Sequence, residues 1–528
     1  MNEFWIKSLI AVTPCILSQC NPSGRDTIKS DRPNILIAIG DDISWQHMGA
    51  YGCTWVKTPG FDRVAQDGII FRNAYTPNAK SSPSRACLLT GRNSWQLEEA
   101  ANHVPFYPVK FTTFVEALGN NGYNTGFTGK GWAPGAAIDS AGNPRELTGL
   151  VFNSRKTNPP TEGISGVDYA ENFEEFLNAK DPSRPFCFWY GGHEPHRRYQ
   201  SGSGVSSGGK STDDIETVPD FWPDNDTVRH DMLDYAFEIE HFDSHLVKML
   251  ALLEKSGELD NTIIIVTGDN GMPFPRVKGQ CYEYSNHMPL AIMWGKGIKN
   301  PGRAVFDYIS FIDIAPTLLD ASGITTDESG MQPVEGKSLL NIFKTRRAGL
   351  VDKSRDFVLI GKERHDVGRP DDAGYPVRGI VKEGYLYLMN YKPNRWPSGD
   401  PETGYLDCDA SPVKTLILNM NRTRQSSFYW NLSFGKRPEE ELYNVSSDPG
   451  CMINLAADQG YYPLKQKLHG LMLQKLREQE DPRIMGNGDV FDNYPYSSET
   501  VKDFYNRYKK GTVSRKSAGW VDSTDFEE

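Results

Sequence analysis

Cysteine is scarce in this chain: eight residues in 528, too widely spaced to form a zinc pattern or to fix a disulfide connectivity. A small stapled scaffold is excluded. Six cysteines remain if Cys15 is cleaved off with a leader and Cys20 is lipidated, and an exported chain can pair them. A basic excess is missing too. Lys and Arg number 57 against 68 Asp and Glu, giving a net charge of -11 and a pI near 5.5. That balance argues against a nucleic-acid or anionic-membrane binder, which needs a broad basic face, so an anionic substrate must meet a local cationic pocket. Long hydrophobic runs are also lacking. The run from Leu9 to Leu17 is too short to span a bilayer; with Lys7 before it and Ser18-Gln19-Cys20 after it, it reads as an export signal. Leu17-Ser18-Gln19-Cys20 resembles a bacterial lipoprotein box in which Cys20 is acylated after cleavage, with plain cleavage and release as the alternative. No internal repeat is present. What is present is bulk: 528 residues at 38% hydrophobic bury a large core and suggest two or more domains.

The organisation follows from short apolar runs and what comes after them. A leader (1–20) and a polar linker (21–32) precede Asn34-Ile-Leu-Ile-Ala-Ile39, apolar throughout, which reads as a buried parallel strand. Similar runs lie at Phe186 to Tyr190 and Thr262 to Thr267, with another strand around Thr125 to Thr128. Three of them empty into polar clusters, Gly40-Asp41-Asp42, His193 to His196 and Asp269-Asn270-Gly271, at the strand ends where open α/β sheets place their ligands. Amphipathic patterns at Thr112 to Leu118 and Asp231 to Leu253 suit covering helices. The spacing places one unit over 33–348. Beyond it, short aromatic and β-branched runs such as Phe357 to Ile360 and Tyr385 to Met389 predict a smaller domain over 349–528 with an antiparallel sheet. Tyr462 to Glu480 reads as a helix, Gly202 to Ser211 as a flexible surface loop, and the polar tail beyond Asp481 as a surface wrap.

The densest motif is Lys80 to Arg92, K-S-S-P-S-R-A-C-L-L-T-G-R. Pro83 fixes the backbone and starts a helix, so Ser81 is expected just outside its N-terminus, where unpaired N–H groups and the dipole suit an anion. Arg85 lies one turn beyond, within reach of the Ser81 hydroxyl and able to hold an oxyanion bidentately. Asp41, Asp42, Asp269 and Asn270 supply only oxygen ligands, the preference of calcium or magnesium rather than zinc.

The whole pattern resembles the signature of the formylglycine-dependent sulfatases, serine type, and is similar to their sulfamidase branch, typified by heparan N-sulfatase. V-P-D-F-W-P-D, R-H-D-M-L-D-Y, D-N-G-M-P-F-P, E-L-Y-N-V-S-S-D-P and E-R-H-D-V-G-R-P-D-D-A-G-Y-P-V-R carry that likeness along the chain. The resemblance implies an alkaline-phosphatase-like α/β sandwich, with a large mixed sheet between helices and a smaller C-terminal α+β domain. It implies a nucleophile formed by oxidation of Ser81 to formylglycine (3-oxoalanine) by a maturase that accepts serine. It implies one calcium ion held by Asp41, Asp42, Asp269, Asn270 and the modified Ser81. Arg85, Lys130 and Lys278 fall where the family handles sulfate, and His196 where it protonates the leaving group. The chain departs from the family at Trp132, which stands where G-K-x-H has its histidine; an indole cannot exchange a catalytic proton. His193, His287 or His196 alone then cover that role. Arg364, His365 and Arg369, with His193, are candidate sugar contacts. The implied substrate is a sulfated oligosaccharide of the heparan or ulvan type, met in the periplasm or at the cell surface. A phosphomonoester or phosphonate hydrolase, and a non-catalytic glycan-binding lipoprotein, are the competing readings.

Overall fold

The computed structural model describes Met1 and residues 32–527; the leader with Cys20 and nearly all of the linker lie outside the described residues. In chain order the strands are β1 (Asn34–Gly40), β2 (Ile69–Tyr75), β3 (Phe106–Tyr107), β4 (Asn124–Gly129), β5 (Ala136–Ala137), β6 (Leu150–Val151), β7 (Phe186–Gly191), β8 (Thr262–Gly268), β9 (His287–Met288), β10 (Leu290–Met293), β11 (Arg303–Ser310), β12 (Phe357–Lys362), β13 (Val377–Lys382), β14 (Tyr385–Asn390) and β15 (Glu440–Asn444). Nine of them form one mixed sheet in the order β11-β2-β10-β8-β1-β7-β4-β6, with β9 beside β2.

The unbroken apolarity of β1 has a direct cause, since both faces of this sheet are covered. Leu36 and Ala38 pack with Phe188, Tyr190, Ile264 and Val266 beneath the long helix Asp226–Lys255. Ile35, Ile37 and Ile39 face the other way, against Trp189, Ile263 and Ile265 and the helices Phe114–Asn120 and Ile314–Ala321. β1 runs parallel to both neighbours, with Ile39 opposite Gly191 on β7 and Thr267 on β8. The three carboxyl ends are therefore level, and whatever follows them meets at one edge.

The second sheet, β12-β13-β14-β15, is antiparallel throughout. One face packs on Tyr282 and Tyr75, the other on the helix Tyr462–Glu478 through Leu468, Met472 and Leu476.

Three expectations change. Ser81 is the first residue of the helix Ser81–Thr90 rather than a residue outside it. Lys80, with extended backbone (φ -153°), is the cap, and Pro83 sits inside the first turn, where its missing N–H is not needed. The Gly202 to Ser211 segment is not a free loop: the turn Ser203–Ser206 docks on the long helix, with the Gly202 and Gly204 amides donating to Asp234 at 2.9 and 2.8 Å. The tail does more than wrap the surface. Tyr496, Val501, Phe504, Val521 and Phe526 form a buried cluster with Val367 and Leu406. The six described cysteines are free thiols, and no helix among the described residues is long and apolar enough to cross a membrane.

Candidate active site

The level ends of β7, β1 and β8 place Asp41, Asp42, His193, His196, Asp269 and Asn270 on one edge, and backbone bonds stitch their loops together. The Asp41 amide donates to the Glu194 carbonyl at 3.0 Å and the Asp269 amide to the Gly40 carbonyl at 3.1 Å. Asp42 has a positive φ of 77°, a conformation Asp tolerates better than most side chains, and it turns the chain so that its amide donates to Asp269 Oδ1 at 3.0 Å. Carboxylate oxygens of Asp41, Asp42 and Asp269 lie within 4.8 Å of one another, all buried.

The helix Ser81–Thr90 brings the hydroxyl into this cluster. Every residue from Ser81 to Thr90 is buried, and Gly91 ends the helix in the left-handed region at φ 68°. Ser81 Oγ donates to Asp41 Oδ1 at 3.0 Å. Arg85, one turn on and fully buried, donates through Nε to Asp269 Oδ2 at 2.8 Å and through Nη1 to the carbonyls of Lys130 and Gly131 at 2.9 and 3.0 Å. The bidentate grip expected of Arg85 is not available, because Nε and Nη1 are committed. Nη2 is the remaining donor, 3.5 Å from Asp41 Oδ1, the oxygen that also accepts from Ser81 Oγ.

Two ammonium groups complete the cradle. Lys130, just after β4, reaches Asp41 Oδ2 at 2.6 Å. Lys278 pairs with Asp42 Oδ2 and lies 3.6 Å from Asp409 Oδ2. Burial alone would push the Asp41 carboxyl up, but Lys130, His196 and Arg85 outweigh it and hold it well below the usual carboxylate range. Asp269 is pushed up, by burial first and then by the Asp41 charge. The fixed cations therefore do not fully settle this group of acids. Asp42 Oδ1 and Asn270 Oδ1 are buried without a hydrogen-bond partner, an expensive condition unless something else coordinates them. The donor set is all oxygen and fits a hard divalent cation such as calcium.

His196 is half-buried. Its Nδ1 donates to the Arg197 carbonyl at 2.8 Å, and Nε2 stands 4.0 Å from Asp42 Oδ2. His193 stands exposed on the wall of the same cavity. His287 does not: its ring nitrogens meet Glu283 Oε1 and the Arg72 carbonyl at 2.7 and 2.8 Å, and it stacks between Trp45 and Tyr75. Of the two histidines offered for the place of Trp132, only His193 stands in the cavity. Trp132 itself donates its indole N–H to the Ser82 carbonyl at 3.0 Å and packs edge-on against Tyr107, bracing the helix that starts at Ser81.

The cavity above Ser81 has a volume of about 820 Å³. Its outer wall holds residues that the motifs do not point to. Lys80 pairs with Asp366 at 3.0 Å, while His103 and Tyr496 reach the other oxygen of Asp366 at 3.2 and 3.3 Å. Asp409, and Tyr496 and Trp520 of the tail, also line it. The candidate sugar contacts beside the second sheet are placed elsewhere. Arg364 donates to the Tyr494 and Pro495 carbonyls at 2.8 and 3.3 Å, His365 to Asn78 Oδ1 at 2.8 Å, and Arg369 to Asp407 Oδ2 at 2.7 Å. All three are buried and none lines the cavity; the residue of that stretch that does is Asp366. Lys80 and Asp366 lie inside quoted motifs, so their neighbours were signals. Asp409, in a short loop between second-domain elements, has none.

Comparison with known proteins agrees with this geometry. An ulvan-active sulfatase of Formosa agariphila is 26% identical over 530 residues, spanning 90% of this chain and 78% of that protein. N-sulphoglucosamine sulphohydrolase of Homo sapiens is 26% identical over 494 residues, 87% of this chain and 93% of its own length. A solved structure in complex with its substrate, D-glucosamine-2-N,6-O-disulfate, matches with a TM-score of 0.62 at 21% identity, covering 85% of this chain and 98% of the other, which is a likeness of fold. The sulfatase family model matches residues 33–324, the stretch that carries Asp41, Ser81, Arg85, Lys130, His196 and Lys278. With more than half its length matched by that model, the chain belongs to the sulfatase family and is a sulfuric ester hydrolase.

Proposed function

We propose that this is an exported bacterial sulfatase that removes sulfate from saccharides of a sulfated polysaccharide, of the heparan or ulvan type, using formylglycine at residue 81 and one calcium ion. The observation that carries the reading is the pair of buried oxygens, Asp42 Oδ1 and Asn270 Oδ1, that lack hydrogen-bond partners in a cluster joined to the Ser81 hydroxyl. The similarity to an ulvan-active sulfatase and to an N-sulphoglucosamine sulphohydrolase supports the saccharide class.

Asp41, Asp42, Asp269 and Asn270, with residue 81, would hold the cation, which when bound polarises sulfate oxygens and favours an ionised nucleophile. Oxidation of Ser81 by a serine-accepting maturase would give an aldehyde, and its hydration by water would supply the geminal hydroxyl that an unmodified serine lacks for expelling sulfate. The remaining roles belong to side chains. Arg85 Nη2, Lys130 and Lys278 bind and orient the sulfate, their positions fixed in advance by the acids and carbonyls they touch. His196 keeps Nδ1–H on the Arg197 carbonyl, so Nε2 is the atom that delivers a proton to the departing oxygen or nitrogen.

Two measurements test the reading. Mass spectrometry of the Ser81 peptide from native cells is expected to show loss of two hydrogens; active enzyme carrying only unmodified serine would sink the mechanism. Free-sulfate release from a panel of heparan, chondroitin, ulvan and carrageenan oligosaccharides is expected to be positive for at least one. Release from aryl sulfates alone would remove the carbohydrate assignment.

A further inference from the structure

Outside the sulfate cradle, the cations that line the cavity are already committed. Lys80 pairs with Asp366 at 3.0 Å, and Arg197 forms a fork on Asp231 with both bonds at 2.8 Å while its Nε meets the Pro273 carbonyl. Asp366 is likewise committed: Oδ1 meets His103 and the Tyr496 hydroxyl, and Oδ2, though without a hydrogen bond, is ion-paired with Lys80 at 3.0 Å. Asp409 differs. It is 5% exposed and lines the cavity, yet its Oδ2 has no hydrogen-bond partner; the nearest cation, Lys278 Nζ, is 3.6 Å away and pairs more closely with Asp42. A buried acceptor left open on a cavity wall is costly unless a ligand completes it.

We propose, resting on the carbohydrate reading above, that Asp409 is the acceptor for a hydroxyl of the substrate sugar that flanks the sulfated position. Against the cost of burial, Lys278, His196, Lys80 and Arg197 hold its carboxyl below the usual range, so it stays charged, and at contact distance that charge disfavours a second anion. The enzyme thereby selects a sugar with a free hydroxyl beside the scissile sulfate over one that carries a neighbouring sulfate or carboxylate there. Position supports the assignment: one oxygen each of Asp409 and Asp42 and a nitrogen of His196 all lie within 4.8 Å of one another, so the group that meets Asp409 is close to the reacting sulfate.

The test uses the fully converted, calcium-loaded enzyme and the saccharide of the panel that releases sulfate fastest, with each flanking hydroxyl present, removed as a deoxy analogue, or sulfated. For one flanking position, kcat/KM is expected to fall by about 10- to 100-fold for the deoxy analogue, the range of a hydrogen bond to a charged group, and further for the disulfated sugar. In Asp409→Asn the ratio between the free-hydroxyl and disulfated substrates is expected to shrink by about 10-fold, because the charge is gone and an acceptor remains. Equal kcat/KM for the hydroxyl and deoxy sugars at every flanking position in the wild type overturns the inference, whatever the folding of the variant. So does an Asp409→Asn enzyme that loses rate on all saccharides by the same factor, which would confine Asp409 to holding Lys278. Turnover of aryl sulfates with none of any saccharide would remove the carbohydrate reading and this inference with it.

Discussion

The strand ends of the large sheet and the seam beneath the second sheet both bury charge densely, and they treat it differently. In the seam, each acid named here has cations of its own. Arg369 sits on Asp407 at 2.7 Å, Arg378 on Asp481 and Glu363 at 2.7 and 2.8 Å, and Arg483 on Glu363 at 2.6 Å. At the strand ends, acids crowd together and leave Asp42 Oδ1 and Asn270 Oδ1 without hydrogen-bond partners; Asp409 Oδ2, which faces them from a loop of the C-terminal part, is left the same way. Charge density therefore does not mark a site, because settled pairs are architecture. Unmet acceptors occur elsewhere too, as at Glu238 and Asp525; those of Asp42, Asn270 and Asp409 stand out because they gather around one cavity that also holds Ser81.

The sharpest way to break the comparison is to remove one member from each region. Asp269→Ala is expected to lower kcat/KM by about 1,000-fold or more on a sugar sulfate, since it takes away a proposed cation ligand and the partner of Arg85 together. A loss under 10-fold, in protein of wild-type circular dichroism, would show that the strand ends are architecture too. Arg369→Ala is expected to cost about 3 kcal/mol in urea unfolding, from the acid it leaves less compensated, while KM stays within about 2-fold of wild type; a large KM change would return Arg369 to the substrate. His196→Ala is expected to slow sugar sulfates about 100-fold more than an activated aryl sulfate, whose leaving group needs no proton. Equal losses on both would move the proton to His193. The smallest effect is thermodynamic: adding calcium to chelated protein at ten times its Kd is expected to stabilise the fold by about 1.4 kcal/mol, read as a higher Tm. An unchanged Tm would deny that the unmet oxygens bind it.

Much of the large sheet was legible because a strand covered on both faces must be apolar throughout, and β1, β7 and β8 are. The site was legible for the same reason, since level strand ends put Asp41, His196 and Asp269 together. What sequence could not supply was direction. Arg364, His365 and Arg369 read as candidate sugar contacts because spacing carries no information about which side chain folds inward, and Asp366, between them, is the one that lines the cavity. Asp409 and the tail were missed for another reason: their contacts are long-range, with Tyr496 bonding Asp366 across 130 residues of chain, and no local periodicity records them. Gly202 to Ser211 misled because its glycines permit close packing on the long helix as readily as freedom. At Gly204 an added Cβ would fall 2.2 Å from the Leu233 carbonyl oxygen.

The tail's place on the cavity wall has a consequence for the order of events in the cell. The Ser497 amide bonds the Val104 carbonyl, the Ala410 amide bonds the Trp520 carbonyl, and the Glu527 amide bonds the Pro401 carbonyl. The outer wall of the pocket is thus built by residues far along the chain from the first sheet, and that sheet alone makes no complete pocket. Ser81 is buried in a docked helix, so on the proposed formylglycine reading a converting enzyme would meet it before that helix docks and the pocket closes.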